Sequence, residues 1–179
     1  MPRVTLIGYR GTGKSTVAAL LGDRLRVPWL DADAVLEARA GAPVAAIVAG
    51  RGEAAFRDLE SEVLRDLLPA FAGVVATGGG VVLRPENRAL LREAGRPVVW
   101  LTAPAEVIRG RLAADPLTAT RRPALAGRDP LDEVAEACAV REPLYRETAD
   151  VAFDTRQASP DAVAAEIIAW LDSGTGGGQ

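Results

Sequence analysis

The sequence predicts an α/β fold built on a parallel sheet with helices on both faces. Three observations lead there. Strand-like and helix-like segments alternate from end to end, which requires crossover connections and therefore parallel strands. A glycine-rich stretch over residues 8–15 lies between the first strand and the first helix. The remaining polar motifs also follow directly on strands, and ligands in such sheets bind at the strands' carboxyl ends. The 179 residues suit one domain with a proper core, or a domain plus a lid. We place that domain at residues 1–172.

The elements follow in order. Val4-Thr5-Leu6-Ile7-Gly8 is a short β-rich run ending in glycine. From Lys14 to Arg26 the apolar residues Val17, Leu20, Leu21 and Leu25 recur at helical spacing. Pro28-Trp29-Leu30-Asp31 is a second strand. Ala34 to Arg39 and Val44 to Val48 read as short helices, split by Gly41 and Pro43. Glu53 to Leu68 is a longer helix with Phe56, Leu59, Val63, Leu64 and Leu67 on one side. Gly73-Val74-Val75-Ala76-Thr77 is a buried strand running into Gly78-Gly79-Gly80. Glu86 to Glu93 is helix, Pro97 to Leu101 a buried strand, and Pro104 opens a helix over Ala105 to Ala113. The connection Asp115 to Asp129 is rich in Pro, Arg and Gly and long for a compact domain, as lids are. Leu131 to Arg146 is helix, which Pro143 is expected to bend, Val151 to Asp154 the last strand, and Pro160 opens a final helix through Leu171. The tail, residues 173–179, has nothing apolar to bury and reads as flexible.

Composition excludes several classes of function. Net charge is −3, with no Lys/Arg run, so neither nucleic acid nor an anionic membrane is an expected partner. No apolar stretch reaches the length of a membrane span, no leader is expected before the first strand, and a cytoplasmic location is the expectation. The single cysteine, Cys138, forms no internal disulfide and reads as helix packing. With no histidine, a proton acceptor must be a carboxylate or a substrate phosphate.

Gly8-Tyr9-Arg10-Gly11-Thr12-Gly13-Lys14-Ser15 matches G-x-x-x-x-G-K-[ST], the phosphate-binding P-loop, in the required strand-to-helix setting. Its backbone N–H groups and the following helix start would hold phosphate oxygens. Gly11, Thr12, Gly13, Lys14, Ser15 and Thr16 are the candidate ATP-binding residues here, with Lys14 on the β- and γ-phosphates and Ser15 on Mg²⁺. Lys14 is the one lysine among 21 basic residues. A slim ammonium can follow a phosphoryl group through the loop, where a planar guanidinium is too wide. No guanine-reading N-K-x-D accompanies the loop.

Other residues point to a second ligand. Asp31 and Asp33, at i and i+2 after a strand, can face one cleft if the chain stays extended. One could hold Mg²⁺ through water and the other a substrate hydroxyl; the plain alternative is helix capping by Asp33 with Asp31 solvated. Arg57 has Glu60 one turn on to brace it, as a site residue or as a surface pair. Gly78-Gly79-Gly80 permits close backbone approach to a ligand. Arg121 and Arg122, on the long connection, could close over a phosphoryl group or form a solvated basic loop, and Arg141 could grip a carboxylate or be a surface charge.

Together these residues resemble the shikimate kinase family over nearly the whole chain. The matching pieces are the loop at 8–15, Asp-Ala-Asp at 31–33, Gly-Glu-Ala-Ala-Phe-Arg-Asp-Leu-Glu at 52–60, Thr-Gly-Gly-Gly at 77–80, Arg-Pro at 122–123 and Arg-Glu-Pro-Leu-Tyr at 141–145. The resemblance implies a P-loop three-layer sandwich with a five-stranded parallel sheet of order 2-3-1-4-5. It also implies a substrate-binding helical region at about 33–61 and a mobile lid at about 113–129. The implied reaction is ATP-dependent phosphorylation of the shikimate 3-hydroxyl, in aromatic amino-acid biosynthesis; a monomer is the expected form. Asp33, Arg57, Gly79 and Arg141 would bind shikimate, with the two arginines on its carboxylate. Asp33 would contact ring hydroxyls and could accept the proton. Lys14 and Arg122 would stabilise the transferring group. Ser15 would ligate Mg²⁺, Asp31 would hold it through water, and Arg109 and the region of Pro160 would flank adenine. The lid piece reads Arg-Arg-Pro-Ala-Leu where the family usually has Arg-Pro-Leu. Arg122 is the better aligned arginine and Arg121 is the alternative. The rival readings are a kinase of another sugar acid, such as gluconate, and an ATP-binding module without turnover.

Overall fold

The structure is a computed structural model that describes residues 1–115 and 133–174. Five parallel strands form one sheet of order β2-β3-β1-β4-β5, the order the family resemblance implies. They are β1 (Val4–Ile7), β2 (Trp29–Asp31), β3 (Val74–Ala76), β4 (Val98–Thr102) and β5 (Val151–Asp154). The helices are α1 (Lys14–Leu25), α2 (Ala32–Ala40), α3 (Val44–Ala70), α4 (Pro85–Ala94), α5 (Ala105–Ala114), α6 (Glu133–Thr148) and α7 (Pro160–Asp172). Arg121, Arg122 and most of the expected lid lie outside the described residues, as do residues 175–179 of the tail.

Strand alternation sets the layers. In β1, Val4 and Leu6 point to one face, and there they join Val74, Ala76, Val99 and Leu101 with Val17 and Leu21 of α1 and Val163 and Ile167 of α7. Ile7, Val75, Val98 and Trp100 point to the other face, against Leu64 and Leu68 of α3, Leu91 of α4 and Tyr145 of α6. Both faces are therefore dry, which is why the central strands read as unbroken apolar runs. The register Val4↔Val74, Leu6↔Ala76 and Ile7↔Trp100 brings the carboxyl ends of β1, β3 and β4 level. The loops after all three strands thus open onto one edge of the sheet.

Two local details depart from simple expectation. The two helices expected at Val44 to Val48 and Glu53 to Leu68 join in α3, with a break at Gly52, whose φ of 82° and ψ of 164° are not helical. A short 3₁₀ turn, Val81–Leu83, follows the glycine triplet. Its three apolar residues carry no periodic signal that distinguishes them from a strand end. A separate small core of Leu36, Val44, Ile47, Phe56 and Val63 ties α2 to α3. Among the described residues no helix is long and apolar enough to cross a membrane.

One core residue is mismatched to its surroundings. Thr5 is fully buried in the central strand, and its Oγ1 has no hydrogen-bond partner among the described residues. A buried hydroxyl without a partner costs about 1 kcal/mol or more. Thr5→Val should therefore raise the unfolding free energy by about 1 kcal/mol, read as a higher urea midpoint at unchanged slope. A lower midpoint would mean that the hydroxyl is satisfied.

Candidate active site

The P-loop fills the edge after β1. Gly13 caps α1 with φ of 90°, a left-handed conformation that explains a glycine at that point. Lys14 begins the helix and is buried, with Nζ donating to the Gly8 carbonyl at 2.8 Å and the Tyr9 carbonyl at 2.9 Å. Thr12, also buried, donates its hydroxyl to the Tyr9 carbonyl at 2.8 Å. Ser15 and Thr16 are exposed on the first turn of α1. The ammonium thus folds over its own loop, and the open side of the loop carries two hydroxyls.

Ser15 Oγ donates to Asp31 Oδ2 at 2.5 Å. The other carboxylate oxygen of Asp31 accepts the Asp33 N–H at 3.0 Å, so Asp31 is the N-cap of α2. Capping therefore falls to Asp31 rather than to Asp33. The extended segment imagined for residues 31–33 also ends at Asp31, because Asp33 already lies in the first helical turn. The two carboxylates are nonetheless both on the sheet's carboxyl edge: Asp31 meets the P-loop helix and Asp33 meets the glycine triplet. The Ser15–Asp31 pair offers hard oxygen donors, the kind Mg²⁺ takes alongside phosphates and waters. No group of three or more His, Cys, Asp or Glu residues that could hold a metal occurs among the described residues.

The glycine triplet after β3 forms the other side of the site. Thr77 anchors it, donating its N–H and hydroxyl to the Leu6 carbonyl. A Cβ on Gly78 would lie 2.6 Å from Asp33 Oδ1 and 2.8 Å from Glu60 Oε1. A Cβ on Gly80 would lie 2.5 Å from Cζ of Arg57. No side chain fits at either position without displacing those groups. The Gly79 carbonyl accepts from Arg141 Nη1 at 3.1 Å and from the Tyr145 hydroxyl at 2.5 Å. Arg57 and Arg141, which come from different helices, therefore reach neighbouring residues of one three-residue turn.

Arg57 is buried, with its guanidinium over the Phe56 ring at 4.8 Å. It donates to Glu60 Oε2 at 2.7 Å and to Glu53 at 3.1 Å. Burial works against its charge, but Glu60 and then Glu53 outweigh that, and its pKa is raised. Its Nε and Glu60 Oε1 have no hydrogen-bond partner among the described residues. Tyr145 stacks on Trp100 of β4 with centroids 5.8 Å apart. Burial pushes its hydroxyl pKa up, against the pull of Arg141, so it stays a donor to Gly79.

Four positions at the site carry contacts that sequence pattern does not reveal. Tyr145 ends the Arg-Glu-Pro-Leu-Tyr stretch, which by itself gives it no role. Gly78 and Gly80, expected to permit close approach of a ligand, make room for Asp33, Glu60 and Arg57. Arg111 donates to the Gly11 carbonyl at 3.3 Å and to Thr155 Oγ1 at 2.9 Å, tying the P-loop to the end of β5. No motif marks it. Arg109, the expected adenine neighbour, is exposed on the same helix, and Pro160 opens α7 beyond β5.

Comparison with known proteins agrees with this architecture. The family model described as shikimate kinase matches residues 10–172. A shikimate kinase of Nitratidesulfovibrio vulgaris is 52% identical over 147 residues, covering 82% of this chain and 83% of that protein. A shikimate kinase of Rhodopirellula baltica is 42% identical over 96% of this chain and 91% of its own length. The structure of the Acinetobacter baumannii shikimate kinase in complex with shikimate superposes with a TM-score of 0.88 at 34% identity, covering 96% of this chain and 93% of that one. A model match across nearly the whole length and relatives of this similarity lead to one assignment: the chain belongs to the shikimate kinase family.

Proposed function

We propose that this chain transfers the γ-phosphoryl group of ATP to the 3-hydroxyl of shikimate. The observation that carries the reading is the meeting of Arg57 and Arg141 at one glycine turn beside the P-loop. Two guanidiniums at one turn suit a small organic acid, because each can take a carboxylate through paired N–H donors. Gly79 joins them, its position 3.0 Å from the Arg10 backbone nitrogen for an added Cβ, so the acid pocket adjoins the phosphate loop directly.

In this reading Gly11, Thr12, Gly13, Lys14, Ser15 and Thr16 hold the phosphates, and Arg109 with the Pro160 region flanks the adenine. Lys14 exchanges loop carbonyls for β- and γ-phosphate oxygens. Ser15 would ligate Mg²⁺ and Asp31 would hold it through water. Bound there, the ion supplies charge neutralisation for the phosphates. Arg57 and Arg141 orient the acid, and Asp33, against Gly78, meets its hydroxyls. The substrate's 3-oxygen forms the new P–O bond while the bond to the ADP oxygen breaks. The hydroxyl proton passes to Asp33 or to the phosphoryl oxygens. A loose transition state asks for positioning and charge more than for a strong base. Arg122, outside the described residues, is assigned to the transferring phosphoryl group from its place on the long connection and the family resemblance. Shikimate and ATP are the partners, a monomer is the expected form and the cytoplasm the expected location.

Three measurements test the proposal. ADP release with Mg²⁺ should depend on shikimate and should stay at background with gluconate or nucleoside monophosphates; equal turnover of gluconate would overturn the substrate assignment. Lys14→Ala should lower kcat by at least ~10²-fold, the scale of one preorganised donor; a near-normal kcat would remove Lys14 from the chemistry. Gly80→Ala should drive the Arg57 guanidinium off its seat and raise the shikimate KM by at least ~10-fold, about 1.4 kcal/mol, with the ATP KM little changed. A normal shikimate KM in that variant would show that Arg57 does not need its present position.

A further inference from the structure

Tyr9 occupies a place that none of these roles uses. It sits in the P-loop, yet it is only 6% exposed. Its side chain packs with Ile108 and Leu112 of α5 and Val134 of α6. Arg141, also on α6, places Cζ 5.1 Å from the centroid of the Tyr9 ring. A guanidinium within about 6 Å of an aromatic face is attracted by the ring quadrupole, more so where water is excluded. The same Arg141 donates to the Gly79 carbonyl, and Gly79 in turn lies against residues 8–10, a Cβ there falling 3.5 Å from the Tyr9 carbonyl carbon. Tyr9, Gly79 and Arg141 thus close a ring of contacts.

The backbone of the same residue belongs to the nucleotide half. Its carbonyl accepts Lys14 Nζ at 2.9 Å and the Thr12 hydroxyl at 2.8 Å. One residue therefore holds the phosphate-binding lysine by its main chain and the acid-binding arginine by its ring. The G-x-x-x-x-G-K-[ST] pattern leaves this position open, so the motif itself does not demand an aromatic residue there.

We propose that Tyr9 is a positioning residue that sets the orientation of Arg141 and thereby the affinity for the acid substrate. The inference rests on the reading that Arg141 takes the shikimate carboxylate. The ring face is the working part, so Phe should serve and an aliphatic side chain of similar bulk should not. The penalty should also be confined to substrates that carry the carboxylate.

The test compares wild type, Tyr9→Phe, Tyr9→Leu and Tyr9→Met, with thermal unfolding of each. Shikimate and its methyl ester serve as acceptors. Tyr9→Leu and Tyr9→Met should raise the shikimate KM roughly five- to thirtyfold, with kcat and the ATP KM within about twofold of wild type. Tyr9→Phe should restore the wild-type KM, and the ester should show the same kcat/KM in wild type and in Tyr9→Leu. A wild type that fails to phosphorylate shikimate overturns the functional reading, and this inference with it. A wild type that turns over while Tyr9→Leu keeps its normal KM overturns the inference alone. A fall in kcat with a rise in both KM values in the Leu and Met variants alike marks general damage to the loop and overturns it too.

Discussion

The Arg57 guanidinium lies so close to the Gly80 backbone that no Cβ fits between them, and the rest of the site is arranged around that contact. A cation brought this far out of water is costly unless it is paired and hydrogen-bonded. Glu60, buried on the next turn of the same helix, provides the pairing at 2.7 Å, and Glu53 adds a more exposed second carboxylate. Pairing does not exhaust the site's capacity, since Arg57 Nε and Glu60 Oε1 keep unused hydrogen-bonding positions among the described residues. An arrangement that spends burial on a charge pair and leaves polar atoms over is a poor way to stabilise a core, because replacement of such pairs by apolar groups is often neutral or better. It is a sensible way to hold a guanidinium ready for an anion, because the ligand's binding then needs little reordering of the side chain.

The same turn also joins the two halves of the site. β1 and β3 are neighbours in register, so the P-loop after β1 and the glycine triplet after β3 are forced to lie side by side. α6 then reaches the triplet from the far side, with Tyr145 stacked on Trp100 and hydrogen-bonded to Gly79. The relative placement of the P-loop and the glycine triplet is thus set by sheet order and by side chains anchored on backbone groups. Phosphoryl transfer depends on such placement more than on any single strong base.

Much of this was legible in the sequence. The strands stand out because both faces of the sheet are buried, and the P-loop because its chemistry fixes residue types at fixed spacing. The family resemblance singles out Arg57, Gly79 and Arg141, and the structure brings them to one turn; as lone residues the two arginines have a plain surface reading and Gly79 that of a loop. What stayed hidden depends on contacts between segments far apart in the chain. The seat of Arg57 on Gly80, the ring of Tyr9 beneath Arg141 and the reach of Arg111 to Gly11 leave no trace in local pattern. Residues 31–33 were misread for a different reason. An i, i+2 rule holds for extended chain, and the Asp31 side chain starts a helix at that point by accepting the Asp33 N–H.

The chain's strong preference for arginine sharpens that point. With 21 basic residues, one of them lysine, composition and local pattern do not rank the arginines. Their surroundings can. Arg24, Arg39 and Arg92 pair with Asp161, Asp66 and Glu147 at the surface, where such pairs contribute little. Arg57 is buried between carboxylates, and Arg141 lies between a tyrosine ring and a glycine carbonyl. Each of the latter is fixed by partners of more than one kind, and each points its fork at the same turn. A guanidinium held for surface solubility needs neither constraint. Two that share both, at one glycine turn packed against the P-loop, fit the carboxylate-binding role proposed for them.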